Sequence, residues 1–368
     1  MRRCLELAQS GCGNVAPNPM VGAVLVFNDR VIGEGYHQKY GEAHAEVNCI
    51  DSVAESDKKL IPSSTLYVSL EPCAHFGKTP PCADLIIQHK IPRVIIGCRD
   101  PFKEVNGKGI EKLKAAGVRT ETGILEEECK KLNKRFFSFH TKHRPYVILK
   151  WAQTADGFIA ATNHPAAERT LKESAEKKER LHISNEYSNR LVHKWRSEEA
   201  AILIGTNTAV LDDPELTTRL WPGRSPVRLI LDMDLRLPAH LKIFDRSVRT
   251  IVFNSIRDEE DNGLFYYRLA KNASIIKQIM NALYHLNIQS VLVEGGAKLL
   301  QAFIDERIWD EARVIINQEW TLLDNKKATN GLRAPGSDDM VLQEEIMLGT
   351  DIIKKCTPVG MELSAPAK

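Results

Sequence analysis

Residues 21–27, VGAVLVF, form a short apolar run that stops at Asn28-Asp29, and residues 31–36 resume it, which is the pattern of a hairpin. Downstream, apolar periodicity predicts a helix over 44–53, a strand over 65–70, a helix over 81–89 and a strand over 93–97. A helix over 110–116 ends at Gly117, and residues 118–122 follow as an edge strand. Strands alternating with helices predict a sheet with helices on its faces. A linking helix over 126–140 leads to Arg144-Pro145, after which the apolar strand YVILKWA starts the pattern again. We therefore expect two domains, 1–144 and 145–368. The second has strand candidates at 201–205, 227–232, 250–254 and 290–294, which makes it a second α/β domain. Residues 162–180 are rich in Glu, Lys and Arg and read as a solvated insertion near its start.

Composition narrows the class. The 368 residues are 43% hydrophobic and 27% charged, values of a soluble globular protein. No apolar run approaches the roughly 20 residues that span a bilayer, so no membrane segment is expected. The start MRRCLELAQSG is amphipathic and contains Glu6, unlike the continuous apolar core of a secretory signal, and the cytoplasm is the expected location. Net charge is only +2, with no basic stripe interleaved with aromatics, so no nucleic-acid partner is expected. Eight irregularly spaced cysteines argue against a disulfide framework. Cys4, Cys49 and Cys98 read as small core residues, whereas Cys73 and Cys82 keep different company.

That company is GEAHAEVNCI and YVSLEPCAHFGKTPPCADLI, which give H-A-E followed by P-C and a further Cys. Catalytic zinc takes protein ligands at three positions and leaves the fourth to water; His44, Cys73 and Cys82 supply one imidazole and two thiolates. Coordination lowers the pKa of that water toward about 7. Deamination also needs a proton carried to the ring nitrogen and then to the departing ammonia, and Glu46, beside the ligands, suits that shuttle. The H-x-E with downstream cysteines is the signature of zinc nucleobase deaminases. A closed structural zinc site would need another protein ligand, for which His75 is the nearby candidate.

Several further segments carry a resemblance: APNPMVGAVLV at 16–26, GEGYHQKYGEAHAEV at 33–47, LYVSLEPCAHFGKTPPC at 66–82, then LKWAQTADG, AAILIGTNTAVLDDPELTTR and VLVEGG. Over nearly its whole length the sequence resembles the bifunctional riboflavin-biosynthesis deaminase-reductases. The eight residues between Cys73 and Cys82 separate it from tRNA and cytidine deaminases with their tight C-x-x-C. The resemblance implies an N-terminal cytidine-deaminase-like three-layer α/β/α domain and a C-terminal dihydrofolate-reductase-like α/β domain. It implies zinc-dependent removal of the 2-amino group of 2,5-diamino-6-(5-phosphoribosylamino)pyrimidin-4-one. NADPH-dependent reduction of the ribosyl group to ribityl follows. Asn18, His37, His75 and Lys78 match positions that bind the deaminase substrate and its phosphate.

The second half has no G-x-G-x-x-G. A weaker signal is the strand over 290–294 running into Gly295-Gly296 and a helix, where small residues let backbone amides approach a phosphate. The resemblance implies Gln153, Thr208, Asp212, Gly295 and Gly296 at the cofactor, and Lys150, Arg196, Leu216, Arg219 and Glu294 around the reductase substrate. Asp212 could instead cap a helix or turn before Pro214. The sequence departs from the family pattern at the charged insertion and after Trp320, where GLRAP at 331–335 is the familiar piece. We expect phosphorylated pyrimidines as partners and self-association into a homo-oligomer. The competing readings are a deaminase with a degenerate reductase half, a nucleic-acid deaminase and a zinc-stabilised interaction module.

Overall fold

The chain divides into two compact units, Met1–Arg144 and Pro145–Lys368, each with buried hydrophobic clusters of its own. The computed structural model describes residues 1–76, 80–102, 105–162, 183–322, 330–336 and 338–360. Lys78 and all but the first residue of the charged insertion lie outside them.

The first unit runs α1 (Arg2–Gln9), β1 (Gly22–Phe27), β2 (Arg30–Tyr36), α2 (Ala45–Asp51), β3 (Thr65–Leu70), α3 (Cys82–Gln88), β4 (Arg93–Cys98), α4 (Lys108–Ala115), β5 (Arg119–Thr122), α5 (Glu126–Leu132) and α6 (Lys134–Lys142). Asn28 and Asp29 close the β1–β2 hairpin with positive φ, 47° and 61°, which is the backbone of a two-residue type I′ turn. Sheet order is β2-β1-β3-β4-β5, with β1 antiparallel to its neighbours and β3, β4 and β5 parallel. Leu25, Leu66, Val68, Val94 and Ile96 pack with Cys49 of α2, Ile86 of α3 and Leu113 of α4. Cys4, Cys49 and Cys98 are buried, so they are core residues as expected.

One predicted helix is two. The linking helix breaks at Asn133, whose amide accepts from Met20 N at 2.8 Å and donates to Met20 O at 2.8 Å. That reciprocal pair satisfies the backbone of the loop holding Asn18, a competition between side chain and helix that periodicity does not register.

The second unit runs β6 (Tyr146–Thr154), β7 (Phe158–Thr162), α7 (Glu186–Glu198), β8 (Ala201–Gly205), α8 (Thr206–Asp212), β9 (Val227–Leu231), β10 (Thr250–Asn254), β11 (Glu259–Asp261), β12 (Leu264–Arg268), α9 (Ile275–His285), β13 (Ser290–Gly295), α10 (Ala297–Asp305), β14 (Glu311–Asn317), β15 (Asn330–Arg333), β16 (Met340–Leu348) and β17 (Asp351–Pro358). Its main sheet has the order β11-β12-β10-β9-β8-β13-β6-β14-β17-β16, parallel from β12 through to β14 and antiparallel at both edges. Parallel strands covered on both faces must be apolar throughout, as AILIG, VRLIL and SVLV nearly are. Adjacent strands β8 and β13 lead into α8 and α10, so both helices start at the carboxyl edge of the sheet, where open α/β sheets bind ligands. Among the described residues, no helix is long and apolar enough to cross a membrane.

Candidate functional site

In the first unit the site is built where α2 and α3 begin. A Cβ on Gly35 would lie 2.2 Å from Cys49 N, so α2 lies backbone to backbone on β2, and Asn48 Nδ2 donates to Tyr36 O at 2.8 Å to hold it there. His44 caps α2 in extended conformation, Glu46 lies in the first turn, and Cys82 opens α3. Cys73 leaves β3 toward them: Cys82 N donates to Cys73 Sγ at 3.3 Å. His44 Nδ1 lies 3.3 Å from Cys82 Sγ and 3.7 Å from Cys73 Sγ. A tetrahedral zinc with ordinary Zn–N and Zn–S bonds separates its N and S ligands by about 3.5 Å, so this donor set fits the ion. Among the described residues the group of mutually close ligand atoms is His44, Cys73 and Cys82; His75 and Glu46 do not join it.

Electrostatics suit the same arrangement. The two thiols share a hydrogen bond that splits them: it holds the Cys73 thiol down at about 4 and, with burial, pushes the Cys82 thiol well up, so Cys73 is the thiolate of the pair and Cys82 gives up its proton on metal binding. Glu46 is 3% exposed, and burial pushes its carboxyl up. His37 is also buried, and its Nδ1 lies 2.9 Å from Ala43 O. That carbonyl needs a donor, so Nδ1 carries the proton and Nε2 accepts from Asn18 Nδ2 at 3.0 Å. Burial lowers the His37 pKa and keeps it neutral for this role. Its ring meets that of His44 edge-on at 5.4 Å. Asn18, His37 and the ligands therefore form one connected site. His75 lies beside Phe102, and its buried Nδ1 has no hydrogen-bond partner among the described residues.

Sequence reasoning missed Glu71, two residues before Cys73. Its buried carboxylate accepts from Gly107 N and Gly109 N at 3.0 Å, Asp100 N at 3.3 Å and Ile110 N at 3.4 Å. A Cβ on Gly109 would lie 1.9 Å from Pro72 O, so the α4 start is clamped against the Cys73 loop. The only signal was an acidic residue at the apolar end of a strand. Glu71→Ala strands those amides, and we expect about 3 kcal/mol lower stability and about 10-fold faster zinc release to a chelator. Wild-type release rates would show that Glu71 does not brace the ligand loop.

In the second unit, Thr208 of α8 and the Gly pair at the junction of β13 and α10 converge: a Cβ on Gly296 would lie 3.1 Å from Thr208 Oγ1, and one on Gly295 3.8 Å. Asp212 ends α8, and it is Asp213, at φ 38°, that precedes Pro214. Gln153 Oε1 accepts from Trp151 Nε1 at 2.7 Å. Glu294 forms a bidentate pair with Arg196, Nε to Oε1 at 2.9 Å and Nη2 to Oε2 at 2.7 Å, both side chains largely buried. Burial alone would raise the Glu294 carboxyl, but Arg196 and then Lys150 outweigh it and hold it at about 2. Arg196 thus spends one edge of its guanidinium on Glu294, and Nη1 donates to Thr217 O at 3.3 Å. Arg219 is exposed and pairs with Glu215 at 2.8 Å. Leu216 sends its side chain into the core beside Ile204 and Ile230, so only its backbone is left for a ligand.

Comparison with known proteins follows the same division. The description "Cytidine and deoxycytidylate deaminase zinc-binding region" matches residues 1–98, and "RibD C-terminal domain" matches 145–317. The riboflavin biosynthesis protein RibD of Aquifex aeolicus is 40% identical over 321 residues, covering 86% of this chain and 85% of that protein. The chain belongs to the RibD family. Solved structures agree. A Thermotoga maritima protein described as a diaminohydroxyphosphoribosylaminopyrimidine deaminase/5-amino-6-(5-phosphoribosylamino)uracil reductase superposes with a TM-score of 0.82 at 36% identity, covering 97% of both chains. RibD of Acinetobacter baumannii gives 0.83 at 32%, again over 97% of both. Both the cytidine-deaminase-like half and the dihydrofolate-reductase-like RibD half of this bifunctional deaminase-reductase family are present.

Proposed function

We propose that the first unit deaminates 2,5-diamino-6-(5-phosphoribosylamino)pyrimidin-4-one and that the second uses NADPH to reduce the ribosyl group of the resulting 5-amino-6-(5-phosphoribosylamino)uracil to ribityl. The observation that carries the first half is a donor set of one imidazole and two thiols, with a buried carboxylate beside it and no further ligand among the described residues. Zinc held by His44, Cys73 and Cys82 supplies a nucleophilic water at neutral pH. Glu46 takes one proton of the attacking water and delivers it to the ring nitrogen beside C2; it then takes the proton of the hydroxyl now on C2 and delivers it to the 2-amino group, which leaves as ammonia as the C2 carbonyl forms. Asn18, oriented by His37, hydrogen-bonds the pyrimidine, and His75 with Lys78 receives the sugar phosphate. The orphaned His75 Nδ1 supports that assignment.

NADPH, when bound by the second unit, would supply a hydride for C1 of the sugar in its open-chain imine form, with a proton from solvent going to the imine nitrogen. Gly295, Gly296 and Thr208 leave the start of α10 open to a cofactor phosphate, with Asp212 and Gln153 flanking. Glu294 accepts from ribose hydroxyls, Lys150 and Arg219 face the substrate phosphate, and Arg196 and the Leu216 backbone shape the wall between. We propose further that the protein works in the cytoplasm as a homo-oligomer, on small molecules and without nucleic acid. The test is direct: zinc-loaded protein should release ammonia from the diaminopyrimidine phosphate, and NADPH should be consumed far faster than NADH. No ammonia from zinc-loaded protein would sink the deaminase assignment.

A further inference from the structure

The segment after α8 that holds Leu216 and Arg219 has no regular structure, yet side chains of α7 and β9 hold its backbone at alternate residues, 215, 217 and 219. Arg228, fully buried on β9, donates from Nε to Glu215 O at 2.8 Å. Arg196 of α7 donates to Thr217 O. One helical turn earlier on the same face of α7, His193 accepts the Arg219 backbone N–H on Nδ1 at 2.9 Å and is 6% exposed. An acceptor at Nδ1 fixes the tautomer, with the proton on Nε2.

We propose that His193 is a positioning residue of the reductase site: it fixes the Arg219 backbone, and with it the place where the Arg219 guanidinium meets the substrate. Nothing in the sequence reading assigned His193 a role. The charges that act on it come from separate elements of the reductase site, Arg196 on its own helix, Arg219 in the segment, Glu294 on β13 and Lys150 on β6. Burial, and then the Arg196 and Arg219 charges, hold it down at about 4, so it stays a neutral acceptor in the physiological range. A protonated ring would lose the acceptor and turn a donor against the amide. Because the segment grips substrate before and during hydride transfer alike, its loss weakens binding uniformly.

The inference rests on the reductase reading, and the test separates the two. NADPH oxidation is followed with 5-amino-6-(5-phosphoribosylamino)uracil for the full-length wild type and for His193→Leu, His193→Asn and His193→Gln. Failure of the wild type to oxidise NADPH on this substrate refutes the reductase reading itself. With an active wild type, His193→Leu should raise KM about 10-fold and leave kcat within about 3-fold. Asn puts an amide oxygen near the place of Nδ1 and should restore most of the KM, whereas Gln, which mimics Nε2, should not. Should Leu fail to fold, the contrast between Asn and Gln decides alone. Rescue by Gln but not Asn, or an unchanged KM in the folded variants, overturns the proposal.

Discussion

Glu46→Gln should lower kcat for ammonia release by about 10³-fold while zinc content stays at the wild-type level. Glutamine keeps the size and the buried setting of Glu46 at the start of α2 but cannot accept and return a proton. Burial that raises the Glu46 carboxyl makes it a group that readily holds the proton between the two transfers. NADPH oxidation with the deaminated substrate should be unaffected, since Glu46 belongs to the first unit. Metal analysis and ammonia assay on the same preparation check it. A closed structural zinc site, by contrast, predicts no change in either rate.

The second large effect is expected at Glu294. Glu294→Gln leaves Arg196 buried without its bidentate partner, a loss of about 3–5 kcal/mol, and NADPH oxidation should fall at least about 100-fold. All five tryptophans lie at or beyond Trp151, so fluorescence during denaturant unfolding reports on the second unit. Replacing both partners by apolar residues, Arg196→Met with Glu294→Leu, should recover much of the stability and none of the activity. The pair also sets an acid dependence. A carboxylate held at about 2 contributes its stability above the unfolded value of about 4.3, and loses it as pH falls through the folded value. Second-unit stability should therefore drop between about pH 4.3 and 2 in the wild type and change little there in the double variant. An equally steep loss in the double variant would assign the acid lability to other groups.

Much of the first unit was legible because its signals are local. The I′ turn at Asn28-Asp29, the strand Thr65–Leu70 and the proline before Cys82 each announce themselves within a few residues. So does the H-x-E that puts a ligand and a proton carrier on one helix start. What remained hidden depends on long-range hydrogen bonds: Glu71 reaching the α4 start, Asn133 reaching Met20, and His193 reaching Arg219. The burial of His37 between Asn18 and Ala43 was hidden in the same way, because nothing nearby in sequence tells of it. The hairpin β16–β17 went unread for another reason. It is the sheet edge, where Glu344 and Glu345 face Lys355 and Lys354, and charge on exposed strand positions erases the apolar alternation that marks a half-buried strand.

The central claim is that one chain performs deamination and then reduction. It is tested most directly by giving zinc-loaded protein the diaminopyrimidine phosphate, with and without NADPH, and following ammonia and NADPH together. Ammonia should appear in both cases, with NADPH consumed only after a lag in which the deaminated intermediate builds up. NADPH oxidation that begins without ammonia release, or ammonia release with no NADPH oxidation at any time, would contradict it.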